Sequence, residues 1–499
     1  MQAVSNDKKL SRLKTAVFYV LIGLLVAFPL FNNLNRLTIR LWDEARNACN
    51  ALEMSQTGNL LVTTYDYVPD MWNTKPPFLA WTQVFFIKII GAGELAIRLP
   101  SAIAAFLTCL ALFILCVTYL ENNILAIITV LVLITIEGYV NFHCTRTGDF
   151  DAMLTLFITA SLISFFIFIE KKQIRFLYFF FIALALGVLT KSVQALLVLP
   201  AVGIYTILQK QTITLLKNKH FYFGLLIFLI PVVSFYLLRE HYNPGYLTAV
   251  QENELGGRYL KTLENHEEDF WFYYNKITDS NMAGWCLFVP CGLLTGLFSI
   301  NERIKKITVF SALFIVTYLL IISTGKTKLG WYVIPMFPFL AMLVALFLDF
   351  VYQSLENLNY FKSVFKYNVA PILFLFLMMI TPYRKVIQKT YGARELPEHM
   401  EYFELSYFLK DAIKNNKDLN NYNILFSDDR VFPLNFYKKI LESKKIHIFY
   451  KEYKNLEPGD QVAVSQPHIK EFIANNFDFE VLEKYNLVEL IKIKEKKSL

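Results

Sequence analysis

Two carboxylates, Asp43 and Glu44, open the segment WDEARNACNALEMSQTGNL, with Arg46 close behind. Downstream, Lys75 stands before Pro76 and Pro77. RTGDFDAMLTLF carries Arg146, Asp149 and Asp151, GVLTKSVQA carries Lys191, and TGKTKLGWYVIPMFP carries Lys326, Lys328 and Tyr332. Cations and carboxylates of this kind suit displacement of a phosphate-linked group. A lipid phosphate leaves most readily where Lys or Arg neutralises its charge. An acceptor hydroxyl or phosphate needs a base, or a carboxylate that orients it. Trp72, Trp81, Trp331 and Tyr332 could pack on a sugar or on an isoprenoid chain.

Each group alone has a plainer reading. Asp43 and Glu44 suit the start of a helix over 43–56, where carboxylates meet the positive end of the helix dipole. Lys75 can snorkel at a helix start, although the two prolines fix the backbone around it. Arg146, Asp149 and Asp151 can form an exposed loop with an ion pair. What sets the five segments apart is that one membrane topology puts them all on the same side.

The composition leads to that topology. The 499 residues are 55% hydrophobic and 18% charged, against about 25% charged in an average soluble domain. Mean hydropathy is +0.40. These values exclude a disordered chain, a disulfide-stapled secreted domain and a cytosolic enzyme. The expected fold is an all-α polytopic membrane bundle of about eleven spans, and up to thirteen, over 1–383. A small soluble α/β domain is expected over 384–499.

A bilayer-crossing helix needs roughly 20 mostly apolar residues. The stretches 15–31, 95–118, 123–140, 152–170, 174–190, 192–208, 221–238, 282–300, 307–323, 331–350 and 367–382 are the expected spans. Residues 176–208 are too many for one span, and Lys191 lies at their middle. A charge at the bilayer centre is costly, so two helices with a turn at 190–192 are expected. The first span is followed by no small-residue cleavage site and is not a cleavable signal.

Basic residues cluster at Lys8, Lys9, Arg12 and Lys14; at Lys171, Lys172 and Arg175; at Lys210, Lys217 and Lys219; at Arg303, Lys305 and Lys306; and at Lys362 and Lys366. They share one side only if 76–91 does not cross. That stretch is therefore read as an interfacial helix anchored by Phe78 and Trp81, within a first outer loop over 32–94. The positive-inside rule then puts the N-terminus in the cytoplasm and the C-terminal domain outside. The net charge of +8 reflects orientation and calls for no nucleic acid.

In the tail, 423–427, 445–450, 460–465 and 487–495 read as strands, and 431–441 and 467–477 as short amphipathic helices. The six cysteines show no CxxC pair and no His/Cys spacing for zinc. No cofactor is certain; Asp43 and Asp151 leave room for a divalent cation, since carboxylates and water suit hard ions.

WDEARNACNALEMSQTGNL, NTKPPFLAW and GAGELAIRLPSAIAAFLT resemble the first-loop signature of bacterial GT-C glycosyltransferases. The likeness is to the 4-amino-4-deoxy-L-arabinose lipid A transferases and the protein O-mannosyltransferases. D-E-x-R, K-P-P, R-L-P-S, L-T-K and K-L-x-W-Y recur in family order over roughly residues 40–340. The resemblance implies a polyprenyl-phosphate sugar donor in the bilayer, an acceptor that is a lipid, protein or glycan, and a bacterial inner-membrane location.

The resemblance also implies roles for individual residues. Asp43 would be the catalytic base, completed by Glu44 and Arg46. Lys75 would hold the carrier phosphate, with Lys191 or Lys328. Asp151, or else Asp149, would be the second acid, and Tyr332 would stand at the mouth of the lipid groove. Arg146 lies in the same segment as the second acid. The chain departs from the arabinose transferases at Thr74, where Glu is usual, and at Ser192, where many members have Gly. An oligosaccharide ligase with a diphosphate-linked donor is the alternative. A transporter or flippase fits less well, because no internal repeat is visible and the notable charges gather at one face.

Overall fold

The structure is a computed structural model. It describes residues 2–260, 262, 266–282, 284–358, 368–426 and 431–497, with side chains from Val17 onward except at 255, 257, 258, 397 and 398. The basic side chains expected at 8–14, Lys362, Lys366 and the strand end Ser427 lie outside the described residues. The chain divides into two compact units, Met1–Asn33, Met71–Leu79 and Leu99–Gly392 against Leu34–Asp70, Ala80–Arg98 and Ala393–Leu499.

The first unit is a multi-span membrane bundle. Among the described residues seven helical stretches are long and apolar enough to cross: Glu94–Thr118, Asp151–Lys171, Ile174–Leu208, Lys219–Tyr242, Glu302–Thr324, Gly330–Asn357 and Ala370–Tyr391. Burial separates their places. The most apolar 18-residue part of Gly330–Asn357 has 89% of its residues buried and packs in the interior, whereas the corresponding parts of Lys219–Tyr242 and Ala370–Tyr391 have 17% and leave most of their surface for lipid.

Two expected spans are shorter than a bilayer requires. The apolar helices there are Asn123–Thr135 and Phe288–Leu297, whereas the expected span 15–31 lies within the 30-residue helix Gln2–Phe31. Thirteen residues rise only about 20 Å, against about 30 Å of hydrocarbon. The expected span 123–140 ends early because the chain turns away at Gly138. There the backbone N–H donates to the Asn281 carbonyl at 3.1 Å. An added Cβ would lie 2.8 Å from Asn281 and Phe337.

The long stretch 174–208 breaks where Lys191 pointed. The helix Ile174–Lys191 stops at Ser192, whose φ of +52° ends α-helical geometry, and a 3-10 turn, Ser192–Val198, precedes Leu199–Leu208. Asp151–Lys171 has its acid in the first turn and a lysine in the last, which matches the helix dipole.

The second unit joins the first-loop segments to the tail. Its division from the bundle falls at Gly392 and Ala393 rather than at 383 and 384, because the helix Ala370–Tyr391 outlasts its apolar part. The helix Asp43–Thr57 closes on Gly58, φ +72°, whose N–H donates to the Met54 carbonyl, a left-handed glycine stop. Two short strands, β1 (Thr64–Tyr65) and β2 (Val68–Pro69), pair antiparallel.

The tail forms a five-stranded sheet from β3 (Tyr422–Leu425), β4 (Phe449–Tyr450), β5 (Gln461–Val464), β6 (Phe477–Tyr485) and β7 (Val488–Lys496), in the order 4-3-5-7-6. β3 is parallel to β4 and β5, and β7 is antiparallel to β5 and β6. β6 was not anticipated: it is an edge strand, mostly exposed, whose charged residues blur its alternation. Ala45, Ala48, Cys49 and Leu52 of the first loop share one buried core with Leu434, Tyr437 and Leu441 of the helix Val431–Ser443.

Candidate functional site

Within the second unit the first loop is held by buried ion pairs. Glu44 is 1% exposed and Arg98 2%. Arg98 Nε and Nη2 donate to the two Glu44 oxygens at 2.7 and 2.8 Å. The remaining Arg98 N–H groups donate to the carbonyls of Leu34, Leu37 and Thr38 at 2.7–2.8 Å. All five guanidinium donors are thus used, and the arginine of R-L-P-S clamps 34–38 to the start of the Asp43 helix.

Glu44, expected to complete a catalytic motif, is spent on this clamp. Arg46 is likewise committed: it makes a two-pronged pair with Asp70 at 2.8 Å in both arms. Asp43 itself is exposed. Its entry into the helix is strained, because Trp42 before it has φ +61°, a region that costs of order 1–3 kcal/mol. Trp42 is held against Phe432, ring centroids 5.5 Å apart.

Further pairs fasten the same unit. Lys439 lies 2.8 Å from both Glu53 and Asp66. Burial lowers the Lys439 pKa, but its bonds to Asp66 and Glu53 outweigh that and hold it above the usual lysine range. Tyr437 donates to Glu94 at 2.7 Å. Burial, and then the Glu94 charge, push its hydroxyl well above the ordinary tyrosine range.

In the membrane unit, Lys75 does not stand alone. Its ammonium is 3.6 Å from Glu254 Oε1 and 5.4 Å from the centre of the Phe150 ring. Thr74 Oγ1 donates to the same Glu254 oxygen at 3.3 Å. The Tyr246 hydroxyl donates to the Thr74 carbonyl at 2.6 Å, and Asn253 Nδ2 to that of Met71 at 3.2 Å. Burial, and then the nearby Tyr236, raise the Tyr246 hydroxyl pKa, so it stays a donor. A carboxylate therefore reaches Lys75 from a distant loop, while the residue before that lysine is Thr74. Nothing in the sequence singled out Glu254, since its neighbours QENEL read as an ordinary polar loop.

Lys191 and Asp151 form a second buried pair, Nζ to Oδ1 2.6 Å, with side chains 6% and 3% exposed. Lys191 also lies over the Tyr332 ring at 5.3 Å. A cavity of about 230 Å³ touches both centres: Glu254 and Tyr332 line it, with Gln194, Tyr259 and the apolar Leu197 and Ile322. One carboxylate in a wall of aliphatic, aromatic and a few polar side chains suits part of a lipid-linked sugar. With Lys191 so near Asp151, a divalent cation at that carboxylate would meet an ammonium, and the two charges repel. The residues present do not fit a metal there.

Two expected cations are committed elsewhere. Lys328 Nζ donates to the carbonyls of Glu268 and Gly325 at 3.0 and 2.7 Å and is 6% exposed. Arg146 Nη1 reaches the carbonyls of Pro29 and Leu30 at 3.3 and 3.4 Å. Asp149 accepts from Thr147 Oγ1 at 2.5 Å, and its carbonyl accepts from Ser101 at 3.1 Å. His143, which the sequence reading missed, lies 3.6 Å from Asp149 Oδ2 and stacks on Trp331.

Residues 74–237 match the family of dolichyl-phosphate-mannose-protein mannosyltransferases. The structure superposes on that of ArnT from Cupriavidus metallidurans bound to undecaprenyl phosphate. The TM-score is 0.69 at 14% identity, over 96% of this chain and 98% of that one. The fold is that of the GT-C glycosyltransferases.

The chain is 28% identical over 317 residues to the undecaprenyl phosphate-alpha-4-amino-4-deoxy-L-arabinose arabinosyl transferase of Aeromonas hydrophila. The match covers 61% of the chain and 55% of the relative. An uncharacterized protein of Aquifex aeolicus is 25% identical, with 77% and 74% covered. The chain thus spans little more than half the length of that Aeromonas transferase. The expected ArnT- and mannosyltransferase-like character and the helical bundle with a small sheet domain are borne out.

Proposed function

We propose that this GT-C protein moves a sugar from a polyprenyl-phosphate carrier to an acceptor at the outer face of the bacterial inner membrane. The N-terminus is cytoplasmic and the C-terminal domain outside. The observation that carries this reading is the cavity lined by Glu254 and Tyr332, the first paired with the half-buried Lys75 and the second lying under the buried Lys191. The likeness to lipid-phosphate-dependent transferases supports it.

Lys75 leaves Glu254 for the donor phosphate, a singly charged diester that becomes a more highly charged monoester as the sugar leaves, so the lysine holds the departing phosphate more tightly than the bound donor. Lys191 adds positive charge while Asp151 holds it in place. Asp43, on the strength of its motif, deprotonates or orients the acceptor, which attacks the anomeric carbon in line and inverts it. The phosphate departs neutralised by lysine, so no separate acid is required. One such charge contact contributes about 2.7–4 kcal/mol to the transition state. Glu44, Arg46, Arg146 and Lys328 keep the surrounding loops in place.

Lipid A, exported proteins and surface glycans are the acceptor pools. Mass spectrometry of the three, with and without the gene, tests the reading. Loss of one sugar mass from one pool names the acceptor; three unchanged pools overturn the proposal.

A further inference from the structure

The loop before Asp151 holds an imidazole that the reaction above does not use. His143 has φ +60°, a left-handed conformation that costs a side chain with a Cβ. The loop fixes it there from several directions. Its backbone N–H donates to Thr147 Oγ1 at 2.8 Å, and that hydroxyl donates to Asp149 Oδ2 at 2.5 Å. The imidazole Nδ1 lies 3.6 Å from the same oxygen. The ring stacks on Trp331, centroids 3.8 Å apart and planes 9° from parallel. Trp331 is chain neighbour to Tyr332, which lines the cavity and carries Lys191 on its face.

A neutral aromatic pair prefers an offset or edge-on meeting to a close parallel one. A π face does favour a cation. The ring is thus set between a carboxylate and an indole. With Nδ1 toward Asp149, Nε2 is the ring nitrogen turned away from that carboxylate. The side chain is 30% exposed, so the ring is open to an incoming group. Contacts of this kind are often long without substrate and tighten when it binds.

We propose that His143, oriented by Asp149, is the proton acceptor of the transfer, and that the acceptor is therefore an alcohol rather than a phosphate. This rests on the transfer reading above. A phosphate monoester is already ionised at neutral pH and needs no base, whereas an alcohol must lose a proton as it attacks. The acceptor oxygen bonds to the anomeric carbon. The bond from that carbon to the phosphate oxygen breaks, its electron pair leaving with polyprenyl phosphate. The proton passes to His143 Nε2 and then to water. Asp43 is left to orient the alcohol.

The test uses the full-length protein in lipid with a polyprenyl-phosphate sugar and extracts of the three acceptor pools. Release of polyprenyl phosphate by the wild type is the control: its absence refutes the transfer reading itself. His143→Phe keeps an aromatic ring on Trp331 and removes the base. Its kcat is expected to fall at least 100-fold, in line with general-base contributions of about 10²–10⁴, with the donor KM unchanged. Imidazole added to His143→Gly is expected to restore part of the rate, which a packing role would not allow. The sugar is expected on a carbon-borne oxygen, stable to mild acid. Wild-type kcat in a folded His143→Phe, no imidazole rescue, or an acid-labile glycosyl phosphate product overturns the proposal.

Discussion

Lys191 Nζ stands 2.6 Å from Asp151 Oδ1, both side chains almost wholly buried, where a helix stops at Lys191 and another begins at Asp151. Each charge is tolerable because the other is there. Removing one partner leaves an uncompensated buried charge, which costs roughly 3–5 kcal/mol. Lys191→Met and Asp151→Asn are each expected to lower the thermal midpoint sharply. The double variant is expected to regain most of that stability without regaining transfer. Differential scanning fluorimetry beside a donor-release assay reads both.

Asp43 and Glu44 are neighbours with opposite fates. Glu44→Gln breaks the Arg98 clamp and is expected to lower stability, while the folded fraction keeps most of its turnover. Asp43→Ala is expected to melt like the wild type and to lose two or more orders of magnitude in turnover. Melting curves together with turnover per folded molecule separate the two.

How far the chain could be read in advance follows the same division. The break at Lys191 was legible because a charge mid-span has few tolerable places. The tail strands at 423, 461 and 488 were legible because their apolar residues face a core. β6 was hidden, since an edge strand can be charged throughout and still pair. The span at 123–140 looked long enough by hydropathy, yet a close approach at Gly138 ends it, and such packing has no signature in one sequence.

The site divides likewise. The lysines and acids of the motifs were visible as types. Their partners were not: Glu254 reaches Lys75 from 179 positions downstream, and Arg98 reaches Glu44 from 54. Lys328 and Arg146 resembled free cations in the sequence because backbone carbonyl partners leave no trace there.

In the proposed reaction Glu254, 3.6 Å from Lys75, competes with the donor phosphate for that lysine. Glu254→Gln is expected to tighten binding of undecaprenyl phosphate several-fold, and Lys75→Met to weaken it by at least tenfold. Titration of the detergent-solubilised protein with the lipid measures both. Weaker binding in Glu254→Gln would mean that the carboxylate holds Lys75 ready rather than competing with the phosphate.

Lys439 supports the second unit through Glu53 and Asp66, and its folded pKa is raised. A raised lysine contributes in full below the unfolded value of about 10.4. That contribution is lost only as pH climbs through the higher folded value. The stability difference between wild type and Lys439→Met is therefore expected to stay constant from pH 6 to about 9 and to shrink only in strong alkali. Chemical denaturation across that range checks it.

The proposed transfer from a lipid monophosphate donor depends on the Asp43 carboxylate. Purified protein in lipid, given a polyprenyl-monophosphate sugar and extracts of the three acceptor pools, is expected to release polyprenyl phosphate and to form an inverted glycoside. Asp43→Ala is expected to cut that release at least 100-fold. Consumption of a diphosphate-linked donor alone, or near-wild-type release by a folded Asp43→Ala protein, would contradict the account.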